Sequence, residues 1–247
     1  MAEPLLLCFP YAGGSAVRIY REWIKPMAGD AEVVPVELPG RGSRLVEPLL
    51  TRIDAITDDV LTKVLPRLDR PYALFGHSLG ALVAFELARR LEHRYARPAM
   101  HLFVSGHDAP HLTSQKHDDY LLPEDEFRAR LRELAGTPEE VLADEDLLGL
   151  LVPIIRADFE AADTYEYRAG PKLTCPVTVY GGSDDPEAPP DTLPQWAEQT
   201  LAPTEVRVLP GNHFFLHHQQ SRLLSGVAGD LAAARTGVAV PTPGRTF

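Results

Sequence analysis

A serine at the centre of a glycine-flanked turn is the residue of this chain best suited to covalent chemistry. Ser78 lies in the pentapeptide GHSLG at positions 76–80. The apolar run Tyr72–Phe75 precedes it and the helical pattern Leu79–Leu91 follows it, which is the strand–turn–helix context of a nucleophile elbow. A serine hydroxyl is a weak nucleophile alone, so this interpretation requires a base and an orienting acid elsewhere in the chain.

The base is sought among nine histidines. His213 lies in PGNHFFL at positions 210–216, directly after the last predicted strand and before the final helix. A loop at that end of a strand can bring an imidazole to the elbow serine. His217 and His218 lie past the loop, and His77 should point away from Ser78. The sequence therefore predicts His213 as the base.

The acid is expected in YGGSDDPEAP at positions 180–189, just past another strand. Asp184 and Asp185 both follow a glycine at the same spacing, but only Asp185 is followed by an x-x-Ala-Pro turn. Asp185 is therefore preferred, with Asp184 as a turn-capping neighbour. Asp108, at the end of an earlier strand, is a third candidate, because any carboxylate that orients the imidazole could serve.

Two backbone N–H groups are needed to hold the oxyanion that develops when a serine attacks a carbonyl. One belongs to the residue after the nucleophile, Leu79. The other is expected in the glycine-containing loop that follows the first strand, FPYAGGS at positions 9–15. We predict Ala12 as this second donor.

The elements that must position these residues alternate between short apolar runs and longer helical patterns. This alternation predicts an α/β fold, with a mostly parallel sheet and helices on both faces. The predicted strands are Leu5–Phe9, Val33–Leu38, Tyr72–Phe75, Met100–Val104, Pro176–Tyr180 and Glu205–Leu209. The predicted helices between them are Arg52–Leu68, Leu79–Leu91, Leu193–Gln199 and Arg222–Ala234.

Residues 108–168 break the alternation, with three helical patterns and no clear strand. We interpret them as a helical lid inserted into a core formed by residues 1–107 and 169–234, covering the edge where such sheets bind ligands. The three patterns are Glu124–Leu134, Pro138–Leu142 and Asp146–Phe159. Apolar lid residues could line an acyl pocket or only pack the lid onto the sheet: Leu131, Leu147, Leu150, Leu151, Ile154 and Phe159. Residues 235–247 are expected to be a disordered tail.

Composition excludes several classes of function. The net charge of −11, without a basic cluster, argues against nucleic acid. No apolar run approaches the ~20 residues that span a bilayer, and no signal-peptide pattern begins the chain, so a cytoplasmic protein with no membrane partner is expected. Cys8 and Cys175 lie in apolar surroundings and are predicted to be buried, reduced thiols; no spacing indicates a metal site.

Several motifs together resemble the type II thioesterases, the stand-alone editing enzymes of polyketide and non-ribosomal peptide synthases. The likeness extends from Leu5 to about Ala234, and its motifs are FPYAGGSA (9–16), LPGRGSR (38–44), GHSLGA (76–81), FELA (85–88) and GNHFFL (211–216). It implies an α/β-hydrolase fold and a helical lid. It also implies hydrolysis of acyl thioesters on the phosphopantetheine arms of carrier proteins, with no cofactor of the enzyme's own.

By position, the resemblance implies Ser78 as nucleophile, Asp185 as acid, His213 as base, and Ala12 and Leu79 as oxyanion donors. The chain departs from the family where leucine replaces a common methionine at position 79, and where His107-Asp108 replaces residues that are often basic. The first change should matter little because the backbone donates. The second leaves any family role of those basic residues in doubt.

Two other functions fit the same sequence. The triad could pass the acyl group to an internal nucleophile and release a cyclic product, or the fold could serve only as a non-catalytic carrier-docking module. Carrier docking itself is expected to use a local basic patch of arginines that follow the first two strands, despite the acidic net charge. These arginines are Arg18, Arg21, Arg41 and Arg44, with Arg41 and Arg44 as the preferred pair.

Overall fold

Six parallel strands form one sheet in the order β2-β1-β3-β4-β5-β6. The structure, a computed structural model, describes residues 3–112, 118–134 and 144–236. The α/β class and all six predicted strands are confirmed. The strands are β1 (Leu5–Phe9), β2 (Glu32–Pro35), β3 (Tyr72–His77), β4 (His101–Ser105), β5 (Val177–Gly182) and β6 (Thr204–Leu209). β2 ends earlier than predicted, at Pro35, although the Val36 N–H still donates to the Cys8 carbonyl of β1 at 2.9 Å.

Helices connect the strands, and all of them except the short helices Ala16–Tyr20 and Phe215–His218 correspond to helical patterns of the sequence. They are α1 (Ala16–Tyr20), α2 (Ile53–Val64), α3 (Leu79–Tyr95), α4 (Glu124–Glu133), α5 (Glu145–Asp163), α6 (Phe215–His218) and α7 (Gln220–Thr236). The expected helix Leu193–Gln199 is a 3₁₀ helix with proline in its first turn. α7 runs to Thr236, so the first two residues of the predicted tail are helical. The rest of the tail and the predicted helix Pro138–Leu142 lie outside the described residues.

Both faces of the sheet are covered by apolar side chains. In β1, Leu5, Leu7 and Phe9 join the cluster under α2 and α3, while Leu6 and Cys8 join the cluster under α1 and α7. This alternation follows from the two-residue period of a strand. Burial on both faces explains why the strands are nearly continuous apolar runs.

The two cysteines lie in these apolar layers and are unpaired, as predicted. Burial raises the pKa of the Cys175 thiol to about 12 and that of Cys8 well above its ordinary value. Both thiols are therefore protonated and inert near neutral pH.

The insertion between β4 and β5 contains α4 and α5 and no strand among its described residues. Its first part has a small apolar cluster of its own, formed by Phe127, Leu131, Leu148, Val152 and Ile155. After Asp158 the chain rejoins the main body: Ala161 and Tyr165 belong to the cluster under α2 and α3. α5 therefore spans both the insertion and the core.

Candidate active site

Ser78 occupies a strained turn between β3 and α3. Its φ of 54° and ψ of −122° lie outside the regions that residues with side chains usually adopt. A Cβ on Gly76 would lie 2.0 Å from the Gly80 carbonyl oxygen, and one on Gly80 would lie 2.3 Å from the Phe9 carbonyl oxygen. Neither flanking position therefore has room for a side chain. The Ser78 N–H donates to the Ser105 carbonyl at 2.8 Å, which ties the elbow to the end of β4.

His213 and Asp185 are hydrogen-bonded to each other across the site. His213 lies between β6 and α6, and its Nδ1 is 2.9 Å from Asp185 Oδ2. The Asp185 side chain is buried, and its Oδ1 accepts the N–H groups of Glu187 at 3.0 Å and Ala188 at 3.3 Å. An ionised carboxylate only accepts, so Nδ1 carries the proton and Nε2 is left as the basic nitrogen.

The other two candidate acids have different partners. Asp184 is exposed, and its Oδ2 accepts from the neighbouring Ser183 hydroxyl at 2.8 Å. Asp108 accepts a short hydrogen bond from the Thr192 hydroxyl. The structure therefore brings Asp185, and neither Asp184 nor Asp108, into contact with the imidazole.

Ser78 and His213 meet at the same edge of the sheet. The His213 ring centroid is 5.1 Å from that of His77, the residue before Ser78. Among the described residues no hydrogen bond joins Ser78 Oγ to His213 Nε2. A contact of this kind often shortens only when substrate binds.

The Ala12 amide of the loop after β1 is free within the described part of the chain. Gly14 N–H donates to the Tyr11 carbonyl at 3.0 Å, which closes a turn, and Gly13 N–H donates to Asp158 Oδ2 at 2.7 Å. Among the described residues the Ala12 N–H has no acceptor, and neither does the Leu79 N–H at the start of α3. Ala12 and Leu79 can therefore donate to an oxyanion, and the positive end of the α3 dipole adds to the attraction at Leu79.

His77 is not a second base. It is fully buried, and its Nδ1 lies 2.8 Å from the Ser105 hydroxyl and not on Ser78. Burial lowers the pKa of His77 well below its ordinary value, and repulsion from a charged His213 acts in the same direction. His77 is therefore neutral near pH 7.

Some of the expected acyl-pocket residues are packed in the insertion, and others are exposed to solvent. Leu131, Leu151 and Phe159 pack in the insertion's own apolar cluster, and Ile154 is buried. Leu147 is 45% exposed and Leu150 is 60% exposed, so neither lies in an enclosed acyl channel in this structure. The three clustered residues pack the insertion, and an acyl-pocket role for these lid residues stays a prediction.

Arg41 and Arg44 do not form the exposed docking patch expected of them. Arg41 is 3% exposed and paired with Asp158, while Arg44 is 8% exposed and paired with Glu47 and Asp59. Arg44 donates hydrogen bonds to the Glu47 and Asp59 carboxylates, and these raise the pKa of Arg44 above its ordinary value. Charges that are buried and already neutralised cannot contact a partner protein, so the expectation is corrected for both residues.

Asp158 is a site residue that the sequence interpretation missed. Its side chain has no exposed surface, and it contacts both the Gly13 amide and Arg41. The available signal was a single acidic residue on the mostly apolar stretch 154–159 of a predicted helix, which also contains Arg156. Such a residue is rarely buried unless it is paired.

Two further features bear on function. Among residues 3–112, 118–134 and 144–236, no group of three or more His, Cys, Asp or Glu side chains is arranged to hold a metal ion. Within the same residues, no helix combines the length and the apolar character needed to cross a bilayer.

The family model of the thioesterase domain matches residues 4–231. Linear gramicidin dehydrogenase LgrE of Brevibacillus parabrevis is 41% identical over 239 residues, which cover 96% of this chain and 90% of that protein. Thioesterase PikA5 of Streptomyces venezuelae is 38% identical over 231 residues, covering 93% and 82%. The structure of the type II thioesterase BorB from the borrelidin biosynthetic cluster matches with a TM-score of 0.86 and 39% identity, covering 93% of both chains.

The name of LgrE denotes a dehydrogenase. The present sequence has no G-x-G-x-x-G pattern of the kind that binds dinucleotides. Its loop after β1 instead passes close to the elbow, since a Cβ on Gly80 would lie 2.3 Å from the Phe9 carbonyl oxygen.

Proposed function

Because this chain belongs to the thioesterase family and is a thioester hydrolase of the type II class found with polyketide and non-ribosomal peptide synthases, we propose that it cleaves acyl groups from the phosphopantetheine arms of carrier proteins. The resemblance found in the sequence is thereby confirmed at the level of the family. The observation that carries the proposal is the His213–Asp185 hydrogen bond at the edge of the sheet that presents Ser78. The absence of a cofactor and a cytoplasmic location stay predictions.

In the first half of the proposed reaction the acyl group moves to the enzyme. Ser78 Oγ attacks the thioester carbonyl carbon while His213 Nε2 takes its proton. The carbonyl oxygen becomes an oxyanion, which accepts from the Ala12 and Leu79 amides. The C–S bond then breaks and the proton passes from His213 to the thiolate, leaving a free phosphopantetheine thiol and an acylated Ser78.

In the second half, water releases the acid. His213 takes a proton from water as its oxygen attacks the acyl carbon, and the same amides receive the second oxyanion. The bond to Ser78 Oγ breaks, and the serine recovers its proton from His213. Asp185 remains ionised throughout, holding the imidazole in the useful tautomer and stabilising the imidazolium.

The test uses a panel of acyl groups loaded on a holo carrier protein, with products identified by mass spectrometry. We expect the free acid and an unloaded carrier. A cyclic product would favour the acyl-transfer alternative, and turnover of small thioesters without any turnover of acyl-carriers would contradict the carrier proposal.

The control for this assay is Ser78→Ala. We expect its turnover to fall by about a thousandfold or more with unchanged thermal stability, since the nucleophile is lost while the fold remains. A variant that retained a tenth of wild-type turnover would contradict the serine mechanism. If the wild-type protein binds the carrier protein but hydrolyses none of its acyl groups, the docking-only alternative is supported.

A further inference from the structure

One buried carboxylate joins the lid to the loop that carries the Ala12 amide. Asp158 on α5 accepts the Gly13 N–H at 2.7 Å and Arg41 Nη2 at 2.8 Å, with a second, shorter contact to Arg41 Nη1. Arg41 also donates from Nε and Nη2 to the Pro39 carbonyl at 3.3 Å. The loops after β1 and β2 and the lid helix thus meet at Asp158, and the ionised groups are paired.

The Asp158 contact fixes one peptide of the oxyanion loop. Residues 11–14 form a turn closed by Gly14 N–H to the Tyr11 carbonyl, with a φ of 73° at Gly13. Gly13 is the third residue of this turn, and Ala12, the second, has no positive φ. This combination defines a type II turn. A type I turn would reverse the peptide between Ala12 and Gly13 and aim the Gly13 N–H away from Asp158. The carboxylate therefore selects the orientation of this peptide.

The same helix also closes the space above the turn. A Cβ added to Gly13 would lie 2.5 Å from Ile155 Cγ1, one helical turn from Asp158. The loop is therefore held by a side-chain contact and by a charge-assisted hydrogen bond from a single face of α5. Lifting this face would separate the charges of Asp158 and Arg41 and leave Arg41 with only the Pro39 carbonyl as acceptor, a costly arrangement for a buried ion.

We propose that Asp158 is a positioning residue of the oxyanion hole: when α5 is seated on the loop, it holds the Ala12–Gly13 peptide and so keeps in place the turn whose preceding peptide carries the Ala12 N–H. The inference rests on the proposed function and adds a condition to it. The part of α5 around Asp158 must remain seated during the chemical step, so any lid movement that admits substrate takes place in the insertion before it. A contact made by the lid thereby affects the stabilisation of the transition state as well as the access of substrate to the site.

The main test is Asp158→Asn in the full chain. Asparagine keeps the shape, and its oxygen in the place of Oδ2 can still accept from Gly13 and Arg41 Nη1, but its NH2 group then faces the Arg41 Nη2 donor, and the negative charge that strengthens these hydrogen bonds is lost. With an octanoyl N-acetylcysteamine thioester, we expect kcat to fall by about 10- to 100-fold with little change in KM, which is less than the ~10²- to 10³-fold for complete removal of an oxyanion donor because the Ala12 N–H is displaced and not removed. Arg41→Lys keeps the charge and loses the paired donors, so a smaller fall in kcat is expected.

A matched control separates positioning from stability. Asp230 on α7 is 4% exposed and is also paired with an arginine, Arg207, outside the site. Asp230→Asn should lower the melting temperature and leave kcat unchanged. A second measurement compares an alkyl trifluoromethyl ketone, whose serine adduct places an oxyanion in the hole, with a thioether analogue that has no carbonyl. Asp158→Asn should weaken only the ketone, by the same factor as kcat/KM.

Several outcomes would overturn the inference. They are an unchanged kcat for Asp158→Asn, equal weakening of the ketone and the thioether, and a loss of kcat in Asp230→Asn that matches its loss of stability. If Asp158→Asn does not fold, Arg41→Lys carries the same comparisons. Failure of the wild-type enzyme to hydrolyse any thioester would count against the proposed function instead.

Discussion

His213 requires one carboxylate to hold its imidazole, and three aspartates lie in the loops around it. Only Asp185 combines a buried side chain, a 2.9 Å bond to Nδ1 and two backbone donors that fix the orientation of the carboxylate. Asp184 is held by its neighbouring serine, and Asp108 is held by Thr192. The difference between these residues lies in their partners and not in their residue type or spacing.

Asp185→Asn should lower kcat by about 10³- to 10⁴-fold, because the amide can stabilise the wrong imidazole tautomer. Asp184→Asn and Asp108→Asn serve as controls and should stay within about threefold of wild type, since neither carboxylate contacts His213 and an amide oxygen can still accept the hydroxyl hydrogen bond at either position. Turnover of one small thioester at fixed pH checks all three. A larger loss in Asp108→Asn than in Asp185→Asn would show that the acid follows β4.

Helix α5 serves two parts of the molecule. Its first half packs on α4 through a small cluster that includes Phe127 and Leu148, whereas Asp158 and Ala161 contact the loops and the core. Pro153 lies between these halves and cannot donate a helical hydrogen bond. Tyr165, just after the helix, donates to Glu86 of α3 at 2.8 Å and holds this end in place.

We therefore expect the two parts of the insertion to differ in their rates of amide hydrogen exchange. Amides of α4 should exchange faster than those of residues 158–163, because local opening is cheapest where few buried contacts are lost. Mass spectrometry after deuterium labelling of the full chain measures this, with β3 as the protected reference. Protection of α4 equal to that of β3 would contradict low-cost opening of the lid.

At the scale of the whole molecule, the net charge is −11, but the charge is unevenly distributed and one part of the surface carries several basic residues. Arg41 and Arg44 are buried, but Arg18, Arg21 and Lys25 are exposed on and just after α1. Val17 and Ile24, which are 48% and 50% exposed, lie among them. Because α1 follows the oxyanion loop directly, this surface lies next to the site and is the better candidate for carrier docking.

Arg18→Glu should raise KM for an acyl-carrier substrate by several-fold while leaving KM for a small thioester unchanged. The effect should shrink as salt screens exposed charges. Arg94→Glu, at the opposite end of α3 from Ser78, is the matched control and should change neither value. Equal losses on both substrates would mean that Arg18 shapes the site itself.

Buried histidines should make the fold sensitive to mild acid. Burial lowers the pKa of His101 to about 4, against the attraction of Asp230 and Glu205 and with Arg207 acting in the same direction as burial. Between pH 6.5 and about 4 the unfolded chain binds this proton and the native chain does not, so stability falls as the pH falls. His77 and His107 also have lowered pKa values and add to the trend.

Urea unfolding from pH 7 to pH 4.5 tests this contribution. His101→Gln can keep the contact to Thr178, and its free energy of unfolding should decline less steeply with acid than that of wild type. His93→Gln, an exposed histidine, is the control and should follow the wild-type slope. Identical slopes for all three proteins would contradict the role given to His101.

The sequence by itself determined the strands, the elbow around Ser78 and the loop that carries His213. These features follow from local rules: apolar runs of strand length, two glycines where a Cβ would collide, and a loop after a strand. Tertiary structure decided the rest. It seated Arg41 in the interior beside Asp158, 117 positions away, and chose Asp185 over its neighbours. Local periodicity indicates which face of an element is buried, but the partner of a buried charge depends on where distant segments meet.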